Sequence, residues 1–281
     1  MADRTLTVLL DHLVFPECPR WHDGRLWFSD MHDRKVWATT EDGHAEIVLE
    51  TPDMPAGLGW LPDGRLLLVS MSERSLLRLD PGGLVTVADL SALAPFHCND
   101  MVVDHTGRAY IGNFGFDIDG GAEPTSTTLV CVEPDGEAWV VVDQLLFPNG
   151  AVITDGGHTL VVAESFGQRL SAYSIQPDGS LTDPRVWADL RPNVPDGICL
   201  DADGAIWVAD PINNGVIRVI QGAGPVDWIP TGRGAYGCVL GGADGRNLYI
   251  CTAGSSNPAR TVPERAGRIE VVRVDVPGFA G

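Results

Sequence analysis

The chain has 281 residues and a formal net charge of −19, with 38 acidic residues against 19 basic ones. That charge argues against sequence-independent binding to nucleic acid and against attraction to an anionic membrane surface. Hydrophobic residues make up 44% of the chain and charged residues 20%, which is typical of a globular protein that buries a sizeable core.

The N-terminus and the cysteines indicate the compartment. Residues 1–11 include Asp3 and Arg4 and have no small-residue cleavage signature, and no apolar stretch approaches the length of a membrane span. The six cysteines are widely spaced without a CxxC pair, which favours free thiols in a reducing environment. We therefore predict a cytoplasmic protein with no membrane or nucleic-acid partner.

In chain order, the sequence repeats one unit six times: a turn that ends in glycine, a short apolar strand, a polar break and a further strand. The units lie at residues 23–30, 63–70, 106–113, 156–164, 203–210 and 244–251. Their turn glycines, spaced 40 to 50 residues apart, are Gly24, Gly64, Gly107, Gly157, Gly204 and Gly245. Such a period, with about four strands to a unit, is typical of a β-propeller. The sequence predicts an all-β fold, a six-bladed β-propeller formed as a single domain over residues 1–281.

The two ends of the chain are predicted to meet in one blade. A propeller that does not close its ring leaves strand edges exposed, so the apolar stretch at residues 5–10 is expected to pair with residues 268–274. The longest irregular stretches, residues 116–127 and 253–265, contain Gly, Pro or Ser. They are predicted to form loops over one face of the propeller.

Four of the six units carry a side chain with a ligand oxygen at nearly the same distance before the turn glycine. Glu17 lies 7 residues before its glycine, and Asn99, Asn149 and Asp196 lie 8 residues before theirs. Asn or Asp beside Gly is common in turns, which explains any single position equally well. Four positions in one register instead favour a site on the innermost strands, beside the central channel.

The four side chains offer only oxygen atoms, from two carboxylates and two amides. Such donors suit Ca²⁺, Mg²⁺ or Mn²⁺, and the seven histidines show no HxH or HExxH spacing. Two carboxylates in a narrow channel repel each other, and a divalent cation removes that penalty. The sequence predicts one bound divalent cation, with Ca²⁺ as first choice and Mg²⁺, Mn²⁺ or Zn²⁺ as alternatives.

These positions lie in longer motifs: FPECPRW at 15–21, NDMVVD at 99–104, PNG at 148–150 and PDGICLD at 195–201. In the last two, proline fixes one backbone angle and glycine permits conformations that other residues resist. Together, and over essentially the whole chain, the motifs resemble the senescence marker protein (regucalcin)/gluconolactonase/luciferin-regenerating-enzyme family. The resemblance implies a six-bladed propeller with one divalent metal in the channel, and many family members hydrolyse sugar lactones.

By motif, the resemblance also implies roles for single residues. Glu17, Asn149 and Asp196 are expected to be direct metal ligands, and Asp196 is also expected to act as the general base. Asn99 is expected to be a fourth ligand, or a catalytic residue that holds substrate or water beside the metal.

The sequence departs from the sugar-lactonase members at His97, where they commonly carry an arginine that grips sugar hydroxyls. The departure argues for a smaller or more apolar lactone or ester. The residues expected to contact this substrate are His97, Cys98, Phe114, Phe147 and Tyr236. A nucleophilic Cys98 would need help from the adjacent His97. Adjacent residues of a strand point to opposite faces and do not readily meet, so a buried inert thiol is favoured.

The resulting hypothesis is a metal-dependent, gluconolactonase-like lactonase or esterase that acts on a small molecule. The cation polarises the carbonyl, and Asp196 acts as general base. One alternative is hydrolysis of an organophosphate triester at the same site. The other is a non-hydrolytic binding propeller of the strictosidine-synthase type, since a propeller alone does not fix function. The complete set of four oxygen-bearing residues favours the enzyme. The physiological substrate, the native metal and the oligomeric state stay open at this point.

Overall fold

Strands make up most of the structure. The computed structural model describes residues 4–279, apart from the side chain at position 155. The strands, in chain order, are β1 (Thr7–Leu13), β2 (Pro16–His22), β3 (Arg25–Asp30), β4 (Lys35–Thr39), β5 (Ala45–Glu50), β6 (Pro55–Trp60), β7 (Leu66–Ser70), β8 (Ser75–Asp80), β9 (Gly83–Asp89), β10 (Cys98–Val103), β11 (Ala109–Asn113), β12 (Thr127–Val132), β13 (Ala138–Leu145), β14 (Pro148–Thr154), β15 (Thr159–Glu164), β16 (Arg169–Ile175), β17 (Leu181–Asp189), β18 (Ile198–Leu200), β19 (Ile206–Asp210), β20 (Gly215–Ile220), β21 (Gly224–Pro230), β22 (Gly234–Gly241), β23 (Asn247–Ala253) and β24 (Gly267–Arg273).

In the described part of the chain, these strands form six antiparallel sheets of four strands, and each sheet is one blade. Strands β2–β5, β6–β9, β10–β13, β14–β17 and β18–β21 form the first five blades. The sixth blade contains β22, β23 and β24, and β1 completes it from the other end of the chain. Thr7 lies opposite Val271, and Val8 lies opposite Glu270. The predicted six-bladed fold and the predicted closure of its ring are both confirmed.

The hairpins between the first and second strands of each blade have the predicted glycine turns. Gly64 and Gly204 have φ angles of +85° and +77°, and a Cβ at either position would meet no atom within 4 Å. Glycine is therefore required there for its backbone conformation and not for lack of space.

The core of the molecule lies between the blades. The second strands β7, β11, β15 and β19 are buried along their whole length, because both faces contact other blades. Four of the largest fully buried side chains lie on second strands: Phe28, Tyr110, Trp207 and Tyr249. This packing fixes the innermost strands around the channel.

The described residues contain one α-helix, α1 (Pro258–Glu264), and short 3-10 helices at Met31–Asp33 and Asp155–Gly157. Helix α1 lies within residues 253–265, which were predicted to be irregular. Asn257 caps it by accepting a backbone N–H at 2.8 Å, and proline occupies its first position. Two turns are too short to give a helical periodicity in the sequence, so the helix was missed. None of the helices described is long and apolar enough to cross a membrane.

The two long loops emerge at one end of the propeller. One loop, residues 114–126, follows β11, and the other, residues 254–266, follows β23. Each of these strands is the second strand of its blade. In an antiparallel sheet the second strand ends where the first strand begins. The loops therefore lie at the end where β10 and β22 begin, as predicted, and they border the channel opening there.

Candidate metal centre

The four predicted ligand residues lie at the same end of the innermost strands. Glu17, Asn99 and Asn149 lie at the start of β2, β10 and β14. Asp196 was expected on an inner strand, but it lies two residues before β18, where its N–H donates to the carbonyl of Ala209 at 2.9 Å. All four side chains are buried, with 5 to 8% of their surface exposed.

A β-bulge occurs at each of the three ligand positions that lie on strands. In each bulge the inner strand has one residue more than its partner strand. The bulges lie at residues 17–20 of β2, 98–101 of β10 and 148–151 of β14. A bulge interrupts regular pairing and changes the direction of the side chains beside it. In the first bulge Cys18, directly after Glu17, has a φ of +49°. Strand β6, which has no ligand residue, has the same bulge at residues 55–58, so the bulge is a feature of the blade that the ligand positions share.

The glycines that follow Asn149 and Asp196 have a steric role, whereas the sequence suggested a conformational one. Neither Gly150 nor Gly197 has a positive φ. A Cβ on Gly150 would lie 2.8 Å from the Cα of Gly197, and a Cβ on Gly197 would lie 2.7 Å from the Cα of Gly237. The inner strands of three consecutive blades thus contact each other backbone to backbone. This close approach brings their polar residues together.

Glu17 is a buried carboxylate close to other negative charges. Its Oε2 accepts the N–H of Cys18 at 2.7 Å, and a Cβ on Gly237 would lie 3.1 Å from that oxygen. Burial raises the pKa of Glu17 well above its usual value, and the charge of Asp196 raises it further, while the hydrogen bond from Cys18 opposes the rise. Ionised Glu17 and Asp196 therefore destabilise each other unless a cation is present.

Asp196 has one oxygen atom without a hydrogen-bond donor in the described part of the chain. Its Oδ1 is buried, and no group among the described residues donates a hydrogen bond to it. Burial raises the pKa of Asp196 well above its usual value, although a hydrogen bond from the Asn149 side chain opposes the rise. The Asn149 amide also donates to the hydroxyl of Ser165 at 3.3 Å, and that hydroxyl donates to the carbonyl of Pro195 at 2.7 Å. A buried carboxylate oxygen without a donor is costly, so a cation is a fitting partner for it.

An ion pair that the sequence did not predict crosses between the first and third blades. Asp100 is 3% exposed and accepts a hydrogen bond from Arg20 Nη2 at 2.5 Å. The same guanidinium also donates to the carbonyls of Met101 at 2.6 Å and Leu58 at 3.1 Å. Both charged residues lie within the quoted motifs, but 80 residues separate them, and no periodicity indicates that they meet.

The donor set fits a hard cation. Within the described residues, no three His, Cys, Asp or Glu side chains cluster as a metal site. A cation held here therefore needs the amide oxygens of Asn99 and Asn149 beside the carboxylates of Glu17 and Asp196. Such a mixture of carboxylate and amide oxygens is what Ca²⁺ takes in proteins.

Two of the predicted substrate contacts lie together, and a third lies near them. The rings of Phe114 and Phe147 are stacked with centroids 4.5 Å apart, and the His97 ring lies 5.9 Å from Phe114. Among the described residues Tyr236 makes no ring contact with these three, and it packs edge-on against Phe15 at 4.8 Å. Phe15 precedes Glu17 by two residues, so aromatic side chains occur on two sides of the site.

The six cysteines are free and buried, in agreement with the prediction. Cys98, a predicted substrate contact, has no exposed surface and belongs to the apolar core. Burial raises the pKa of its thiol to about 12, so the thiol stays protonated at neutral pH and is a poor nucleophile.

Comparison with known sequences gives a consistent result over most of the chain. Residues 15–254 match the sequence profile of a family described as the SMP-30/Gluconolactonase/LRE-like region. Regucalcin of Xenopus laevis is 24% identical over 284 aligned residues, which cover 94% of this chain and 92% of that protein. Pentonolactonase XacC of Haloferax volcanii is 26% identical, with 85% of this chain and 81% of that protein covered.

Solved structures share the fold. A luciferin-regenerating enzyme superposes with a TM-score of 0.84 at 17% identity and covers 99% of this chain and 98% of its own. Regucalcin from Agrobacterium tumefaciens, described as a calcium-binding protein, superposes with a TM-score of 0.81 at 21% identity, with 98% and 95% covered. At these identities the likeness is evidence for the propeller architecture alone.

Proposed function

Because this chain belongs to the SMP-30/Gluconolactonase/LRE-like family, we propose that it hydrolyses lactones or related esters with the help of one bound divalent cation. Relatives named as a pentonolactonase and an L-arabinolactonase support a lactone as the substrate. The observation that carries the proposal is the buried Oδ1 of Asp196, which has no donor among residues 4–279 and lies at the same end of the channel as three further oxygen-bearing side chains.

In this proposal Glu17, Asn149 and Asp196 hold the cation directly, and Asn99 is a fourth ligand or positions substrate or water beside it. Ca²⁺ is the first choice, because oxygen donors with two carboxylates suit a hard cation and a structural neighbour is described as calcium-binding. When bound, a divalent cation polarises the substrate carbonyl and offsets the repulsion between the two carboxylates.

Asp196 is proposed to act as the general base. Its carboxylate has two oxygen atoms, so one can bind the cation while the other accepts a proton from water. Water adds through its oxygen to the acyl carbon and gives a proton to the carboxylate. The bond from that carbon to the ring oxygen then breaks, and the ring oxygen takes the proton, so that a hydroxy acid is released.

The test is a panel of lactones and aryl esters assayed with Ca²⁺ and with a chelator. We expect lactone turnover that chelation abolishes and that added Ca²⁺ restores. Asp196→Asn should lower kcat by roughly 100-fold or more, since general-base catalysis is worth about 10²–10⁴. It should also weaken Ca²⁺ binding in calorimetry.

Asp23→Asn is the matched control for this experiment. Asp23 lies in a hairpin turn with its side chain 88% exposed, and asparagine tolerates its positive φ of 47°. The control should retain full activity and Ca²⁺ affinity. Turnover that is insensitive to chelation would refute the metal dependence, and an Asp196→Asn variant as active as the wild type would refute the assigned base.

A further inference from the structure

Six aromatic side chains form a continuous cluster beside the candidate metal centre, on the third and fourth blades. We call this cluster the aromatic wall; its members are Phe96, His97, Phe114, Phe116, Phe147 and Phe166. Phe147 lies at its middle, with ring centroids 4.5 Å from Phe114, 5.9 Å from Phe116 and 5.4 Å from Phe166. His97 stacks on Phe96 at 4.1 Å and extends the wall toward the third blade.

The wall joins the site through short stretches of chain. Phe147 precedes Asn149 by two residues, and His97 precedes Asn99 by two residues. Phe166 follows Ser165, whose hydroxyl contacts the Asn149 amide. Two residues span roughly 7 Å at most, so the wall and the proposed ligands lie within the reach of one small molecule.

The wall has a buried layer and an exposed layer. Phe116 and Phe147 are 6% and 8% exposed, and their rings pack against those of Phe114 and Phe166. Phe166 is 43% exposed, and Phe96 and Phe114 are partly exposed. Exposed aromatic rings that buried rings hold in place form a surface suited to a flat apolar group.

The backbone at Phe147 is in an unfavourable conformation. Its φ is +60°, which a bulky residue adopts at a cost of about 1–3 kcal/mol and which glycine adopts freely. The turn before Asn149 thus carries a large ring where the backbone alone favours glycine. The ring links three other members of the wall, which accounts for its presence in this turn.

We infer that the substrate is a lactone or ester carrying an aromatic ring, and that the aromatic wall binds this ring while the reactive carbonyl lies at the metal centre. The inference rests on the proposed function and specifies its substrate class. Five of the six side chains of the wall are phenylalanines, which donate no hydrogen bonds, so the wall offers apolar contact in place of the donors that a polyhydroxylated sugar requires. Stacking and burial of a phenyl group against such a surface strengthen binding.

The test compares three six-membered lactones that all release an alkyl alcohol. They are δ-phenyl-δ-valerolactone, unsubstituted δ-valerolactone and D-glucono-1,5-lactone. With Ca²⁺ present and rates normalised to those of hydroxide, we expect kcat/KM for the phenyl lactone to exceed that for δ-valerolactone by roughly 10-fold or more. The sugar lactone should be the poorest substrate of the three.

Variants then attribute the preference to the wall. Phe166→Ala should lower kcat/KM for the phenyl lactone about 10-fold, because its ring is exposed for contact, and should change that for δ-valerolactone less than two-fold. Phe114→Leu should act in the same direction with a smaller effect. Trp228→Ala removes a 39% exposed aromatic ring from β21 and should leave all three rates unchanged.

A binding measurement separates this inference from the proposed function. The lactam 6-phenylpiperidin-2-one is not cleaved under these conditions, and calorimetry should show that Phe166→Ala weakens its binding about 10-fold. Turnover of δ-valerolactone and the sugar lactone without a phenyl preference, and with no effect of Phe166→Ala, would refute the aromatic substrate and leave lactone hydrolysis standing. Lactam binding that depends on Phe166 without any lactone turnover would refute the hydrolase and keep the aromatic binding site.

Discussion

Substitution of Gly197 tests the steric packing at the centre of the propeller. A Cβ at this position would lie 2.7 Å from the Cα of Gly237 and 2.9 Å from the carbonyl oxygen of Tyr236. Both are backbone atoms of β22, so no side-chain rotation relieves the contact. The N–H of Gly197 also donates to that carbonyl at 2.8 Å, so the two strands separate only if this bond is lost.

The expected cost of Gly197→Ala follows from these contacts. Inserting a methyl group into a well-packed interior typically costs about 1–3 kcal/mol, and the rigid backbone on both sides places this position near the upper end. For a protein of this size, about 3 kcal/mol lowers Tm by roughly 6–12 °C. Because Asp196 is the preceding residue, the variant should also bind Ca²⁺ more weakly.

The assay is thermal unfolding with and without Ca²⁺, together with Ca²⁺ titration by calorimetry. Gly82→Ala is the matched control, because Gly82 is exposed, has no positive φ and would place its Cβ more than 4 Å from any neighbour. That control should be as stable as the wild type or up to about 1 kcal/mol more stable. The steric explanation is refuted if Gly197→Ala unfolds within 2 °C of the Gly82→Ala protein.

Three further substitutions test the charges of the molecule. Glu17→Gln should stabilise the metal-free protein by roughly 1 kcal/mol, since it removes one of two mutually repelling carboxylates, and should abolish the rise in Tm that Ca²⁺ produces. Arg20→Met should cost about 3–5 kcal/mol in urea unfolding, because Asp100 is then buried without its cation; a loss below 1 kcal/mol would contradict this. Burial lowers the pKa of His32 to about 4 from its usual 6.5, so the unfolded chain takes up a proton first on acidification. The free energy of unfolding that this difference in pKa contributes above pH 6.5 should fall by up to about 3 kcal/mol as the pH is lowered to 4. Between pH 7 and pH 4.5, the Tm of His32→Asn should therefore fall less than that of the wild type.

Features with a local cause were predictable from the sequence. Each blade begins with a hairpin whose glycine needs a positive φ, and this requirement marks the same point in every repeat. Once the six turns were located, counting back 7 or 8 residues identified the positions of Glu17, Asn99, Asn149 and Asp196. The pairing of β1 with β24 followed from the need to close the ring.

Features that depend on contacts between blades were not predictable. The PNG and PDG motifs correctly marked a special backbone position, but the reason lies in the neighbouring strand, since Gly150 and Gly197 leave room for other main chains. The aromatic wall was predicted only in part: His97, Phe114 and Phe147 were expected to contact substrate, but their contacts with the other three rings depend on how the segments pack. Phe96, Phe116 and Phe166 come from three separate segments, and each alone has the sequence pattern of an ordinary core or loop residue.

The ion pair between Arg20 and Asp100 also determines the charge that the candidate centre presents. The charge of Asp100 raises the pKa of both Glu17 and Asp196, and the charge of buried Asp210 also raises that of Asp196. Arg20 bonds directly to Asp100 and balances one of these charges. Asp210 accepts hydrogen bonds from the backbone N–H groups of Ile212 and Asn213 and from the Asn213 amide. The two charges among the proposed ligands, on Glu17 and Asp196, equal the charge of a single divalent cation. With neutral amides completing the donor set, this balance supports Ca²⁺ as the proposed ion over a monovalent cation, which would leave one buried negative charge uncompensated.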